Sequence, residues 1–153
     1  MRTKMIKTKT AFIIFSILTV IVFPYYIVIL TINSDFFNSI IPGWNTNIGE
    51  EKVISNLVKF VILSIVTFYY WKLSKIKPEI NYKNFLIHLL LTFPPVLLAK
   101  LNLCDFIDLN LNDLKIFASQ IKMITYIRVF SNILFLLGQI LFWIFYGTIS
   151  KKY

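Results

Sequence analysis

The chain has 153 residues, a hydrophobic fraction of 58%, an aromatic fraction of 17% and a mean hydropathy of +0.74. An ordinary globular domain is about 45–50% apolar, and here the surplus gathers into runs too long for soluble core helices, which argues against a soluble domain and for an integral membrane protein. The formal net charge of +9 is carried in short flanks between those runs, with no separate basic domain, a placement that suits a bilayer and anionic headgroups and excludes nucleic acid as the expected partner.

In chain order, the basic tail MRTKMIKTK leads into TAFIIFSILTVIVFPYYIVILTI, residues 10–32. The pair resembles a signal peptide, but the apolar run is about 23 residues where an h-region has 7–15, and no A-x-A site follows. It reads as a retained first span. Pro24 within it frees the Val20 carbonyl and is expected to break or kink the helix. The connection 33–52 contains IIPGWN. There Pro42 and Gly43 fit a type II turn, and Trp44 is an interfacial anchor. The second span is VISNLVKFVILSIVTFYYW, residues 53–71. In its outer half Lys59 shares a face with Asn56, Leu63 and Thr67.

The third span, FLIHLLLTFPPVLLAKL at 85–101, is the shortest and also fits a re-entrant segment. His88, the single histidine, stands near its start and reads as a hydrogen-bonded interfacial residue; a pH-sensitive role stays open, and a lone histidine is a poor basis for haem. Pro94 and Pro95 remove the amides that would bond the Leu90 and Leu91 carbonyls. A kink or break is therefore expected there, with Thr92, Thr67 or Ser64 hydroxyls, water or a ligand covering the freed groups.

The segment 102–122 is partly amphipathic, and Asn110 with Asp113 suggests an N-cap. A helix starting there either runs on into the fourth span, for about 37 residues in all, or breaks near Ser119 and lies on the membrane surface. The fourth span is MITYIRVFSNILFLLGQILFWIFYG, residues 123–147. Arg128, Asn132, Phe135, Gln139, Phe142 and Tyr146 recur along it at helical spacing and form one inward stripe with three polar members. Each span is close to the ~20 residues that cross a ~30 Å hydrocarbon core.

Orientation follows from the flanks. The N-tail, the 72–84 connection and the C-tail carry ten lysines and arginines; the 33–52 and 100–122 connections carry four. The positive-inside rule puts both termini in the cytoplasm. Six of the seven acidic residues fall on the opposite side. Phe23-Pro24 and Phe93-Pro94 echo one another, and the second and fourth spans both end in aromatic clusters, as two parallel two-helix repeats would. Fourteen lysines against two arginines, with abundant Ile, Asn and Phe, fit an AT-rich bacterial genome.

The expected fold is all-α: a four-span transmembrane bundle forming a single membrane domain over 1–153, its third span kinked or broken at Pro94–Pro95. No carboxylate lies within a span, and Cys104 is the only cysteine. Neither a metal site, a cofactor nor catalysis is therefore expected. The expected role is a non-catalytic accessory or structural subunit of a membrane assembly in the cytoplasmic membrane, bound to other membrane proteins or to its own copies. The alternative is a lipid, quinone or small-anion binding or transport module. It would use Lys59 and Arg128 as an outer basic site, with Asn132 and Gln139 beside it.

Overall fold

The computed structural model describes residues 4–25, 49–101, 103, 107 and 113–150. Among these the chain is helical apart from one small ribbon. The order is β1 (Met5–Lys7), α1 (Thr8–Val22), α2 (Gly49–Ile76), β2 (Glu79–Asn81), α3 (Tyr82–Lys100) and α4 (Leu114–Ser150). Three helices, α2, α3 and α4, are long and apolar enough to cross a membrane, while the 15 residues of α1 form a shorter apolar helix. The rest of the expected first span, beyond Tyr25, lies outside the described residues, as do Trp44 and the turn before it.

Helix ends follow local chemistry. Helix α1 stops at Val22, just before Phe23, which the following Pro24 turns away from helical geometry. At the start of α3, Asn81 Oδ1 accepts from the Lys83 amide at 2.9 Å. At the start of α4, Asp113 Oδ1 accepts from the Lys115 and Ile116 amides at 2.8 and 3.2 Å. The cap is therefore Asp113, and Asn110 lies outside the described residues. Helix α4 then runs 37 residues without interruption through Ser119, which selects the continuous alternative over a surface helix.

Of the two outcomes expected for the third span, a kink or a break, the break does not occur. Helix α3 continues through Pro94 and Pro95 to Lys100. Helices of this apolar kind carry proline where neighbours cover the freed backbone, and α4 comes close at this level through Gly138, whose Cβ, if present, would lie 3.1 Å from Leu91 Cβ.

The chain divides into two compact units: Thr8–Pro78, and Met1–Lys7 with Glu79–Tyr153. In the first, α1 and α2 form an antiparallel hairpin. Its open end is tied by Thr8, whose amide donates to the Pro78 carbonyl at 2.8 Å and whose hydroxyl donates to the Lys77 carbonyl at 2.6 Å. Further along, Phe15 stacks on Tyr70 at 4.9 Å, Thr19 meets Thr67 at 3.0 Å, and Phe23 sets its edge against Phe60. In the second unit β1 pairs antiparallel with β2, Ile6 opposite a fully buried Ile80. Helices α3 and α4 form the second antiparallel hairpin.

The two hairpins share an internal plan. His88 stacks on Phe142 as Phe15 stacks on Tyr70. One turn later along the first helix, and one turn earlier along the second, Thr92 bonds Gln139 as Thr19 bonds Thr67. In this register the two Phe-Pro pairs do not correspond, because Pro24 follows the end of α1 whereas Pro94 lies within α3. Only about 28% of the apolar stretch of each of α2, α3 and α4 is buried. The remaining faces are apolar, with Leu90, Tyr126, Phe130 and Ile144 all at least 60% exposed, more apolar surface than a soluble monomer presents.

Candidate functional site in the second hairpin

Gln139 gathers the polar groups of the α3–α4 hairpin. Its side chain is 5% exposed. Its Nε2 donates to Thr92 Oγ1 and to the Phe135 carbonyl, each at 3.2 Å. Its Oε1 lies 3.5 Å from His88 Nε2. An amide oxygen only accepts, so the histidine carries its proton on Nε2 and donates. The ring of His88, 2% exposed, stacks on Phe142 at 5.0 Å with an interplanar angle of 27°. The result is a buried chain of neutral donors and acceptors running from α3 to α4 and back to the α4 backbone.

Gly138 makes this closeness possible. A Cβ there would meet both Leu91 Cβ and Thr92 Oγ1 at 3.1 Å, so the bare backbone lets the helices approach until Gln139 can reach across. Small residues at contacts and polar side chains bridging them are how membrane helices associate, each hydrogen bond contributing about 0.6–2 kcal/mol. Among the described residues every buried side-chain nitrogen and oxygen has a partner.

The sequence-derived candidates fare differently. Gln139 lies inward as expected. Asn132 is exposed, and the buried face of α4 passes instead through Ile124, Ser131, Phe135, Gly138 and Phe142. The reason is register: Ile124, Ser131 and Gly138 recur at two-turn intervals, which carries the seam one residue away from Asn132. His88 is enclosed between the helices. Arg128 is half-buried and has interactions of its own. Lys59, 6% exposed beside a buried Asn56, donates from Nζ to Ser55 Oγ at 3.2 Å. Lys59 belongs to the first unit and Arg128 to the second. Pro24 and Pro95 are buried, and Pro94 is exposed.

Sequence reasoning missed Ser131 and Gly138. Their signal was present in their size, since small residues in an otherwise bulky span mark the contact face. The aromatic clusters also divide by role: Tyr70 and Phe142 turn inward, whereas Phe68, Trp71 and Trp143 stay exposed.

Compared with known proteins, the chain matches no family model, no curated protein and no solved structure.

Proposed function

We propose that this chain is a four-crossing integral protein of a bacterial cytoplasmic membrane, with both termini in the cytoplasm, and that it serves as a non-catalytic accessory or structural subunit bound to other membrane proteins or to its own copies. The observation that supports the role most is the use made of Gln139. This buried polar side chain of the fourth span is engaged in joining two helices of the same chain, leaving broad apolar outer faces as the surfaces offered to neighbours.

The number of crossings is supported by parity. Thr8 at the start of α1 is bonded to Lys77 and Pro78 just past the end of α2, which supports reading both points on one side of a bilayer. With α2 taken as one crossing, the return to the same side supports the reading of a further crossing earlier in the chain. The basic flanks put that shared side in the cytoplasm.

Chemical crosslinking in membranes, followed by purification in mild detergent and mass spectrometry, tests the role. The expected result is specific retention of other membrane proteins or of crosslinked copies. A chain recovered alone and monomeric from native membranes sinks the subunit reading. Reporter fusions after residues 40 and 153 test orientation, and a cytoplasmic signal from the first overturns it.

A further inference from the structure

A groove of about 580 Å³ runs along the first hairpin between Phe12 and Val20 on α1 and between Ser64 and Trp71 on α2. Its volume falls within the ~300–1,000 Å³ of small-molecule sites. It exists because of side-chain size: Ser16, Thr19, Ser64 and Thr67 form a low floor, and Phe12, Phe68 and Trp71 stand above it.

The floor is chemically quiet. Ser16, Thr19 and Ser64 donate their hydroxyl protons to the Phe12, Phe15 and Phe60 carbonyls at 2.8–2.9 Å. Because the Thr19 proton is so used, Thr67 is the donor in the 3.0 Å contact with Thr19. With these donors satisfied on their own hairpin, the groove presents hydrocarbon and ring faces, and it extends about 12 Å along the helices.

One end is cationic. Continuing the groove-facing rows by one turn leads to Lys9 on α1 and to Lys72 and Lys75 on α2, all exposed. Lys75 Nζ lies 3.6 Å from the centre of the Trp71 ring, which fixes a cation at the mouth. Neither α1 nor the described stretch Ile54–Pro78 contains an Asp or Glu. An apolar groove closed by lysines at one end complements an anionic amphiphile aligned with the helices.

We propose that this hairpin holds an anionic phospholipid of the surrounding leaflet, one acyl chain lying in the groove and the phosphate meeting Lys9 and Lys75. Packing fits the chain, but lipid tails are as apolar as the groove itself, so selectivity comes from the headgroup. The site differs in position and composition from the Lys59–Arg128 pair, and it can hold or fail independently of the subunit role, since lipid retention is measured on the purified chain with or without protein partners.

The test uses the full chain reconstituted into vesicles of equal parts phosphatidylglycerol and phosphatidylcholine with identical acyl chains, then extracted and examined by native mass spectrometry. Phosphatidylglycerol should be enriched on the protein. The double variant Lys9→Gln and Lys75→Gln should lower that enrichment by about five-fold per lysine removed. Ser64→Leu, which fills the floor, should lower retention of both lipids. Equal retention of the two lipids by the unaltered chain, or enrichment unchanged in the lysine variant, overturns the proposal. So does a folded Ser64→Leu chain that changes its oligomeric state but not its lipid content, which would make the groove a helix-docking face. The lysines are exposed, so their exchange decides the matter even if the groove-filling variant fails to insert.

Discussion

Gly138 and Gly147 lie on one helix about two and a half turns apart and meet opposite surroundings. A Cβ at Gly138 would press on Leu91 Cβ and Thr92 Oγ1, whereas one at Gly147 would meet nothing within 4 Å. The Gly138 neighbours are the stem of one side chain and a short threonine, with no flexible end to move aside. Gly138→Ala should therefore destabilise the fold by about 1–3 kcal/mol through overpacking. Gly147→Ala should be neutral or stabilising by up to about 1 kcal/mol through helix propensity. Unfolding curves in detergent compare the two directly, and equal shifts of the same sign would refute the account. Gln139→Leu should cost about 1–3 kcal/mol, because it leaves the buried His88 N–H without its acceptor. Thr67→Val in the other hairpin removes a single neutral bond and should cost less in the same assay. At this scale the sequence was half informative. Polarity inside an apolar run picked out Gln139 correctly. The same rule chose Asn132 over Ser131, because helical spacing tolerates a one-residue error that only packing resolves.

Helix α4 has 37 residues, about 55 Å at 1.5 Å per residue, against a hydrocarbon core of about 30 Å. The excess length, together with the polar Asp113 start, predicts that its first turns project beyond the apolar layer. With Cys104 replaced, a cysteine at Ser119 should react with a water-soluble maleimide in intact membranes, while one at Leu136 should not. Both positions are exposed on the protein, so a difference reports lipid cover and not burial; equal labelling would remove the projecting segment. Asp113→Ala should cost about 1 kcal/mol and speed hydrogen exchange at the Lys115 and Ile116 amides. Spans two to four were legible because apolar length is a strong signal. The start of α4 was not, since Asn110 and Asp113 are equally good capping residues and only the bonds to Lys115 and Ile116 choose between them. The continuity of α3 was also hidden, because proline's effect on a helix depends on its surroundings, and the helix that approaches it, at Gly138, is many residues away in sequence.

At the scale of the whole molecule, two hairpins of similar internal plan carry different polar content. The first joins its helices through two hydroxyls, the second through an amide, a hydroxyl and an imidazole. The Phe-Pro pairs that suggested a repeat in the sequence do not correspond in the structure; the likeness between the hairpins lies in ring stacks and hydroxyl contacts that no short motif marks. The β1–β2 ribbon adds a constraint on timing. Strand β1 is synthesised before the first hairpin and its partner strand only after it, so closing the ribbon must wait until the entire first hairpin has been made. Long closures are slow to form and weakly compensated by three residue pairs. The ribbon thus closes only after the first hairpin has been made. Ile6→Pro, which removes a ladder amide, should abolish exchange protection at Ile80 while leaving membrane insertion and helix content unchanged. If insertion fails instead, the strand acts early. A contact that waits so long leaves the amino-terminal strand without its β2 partner for as long as the first hairpin is being made.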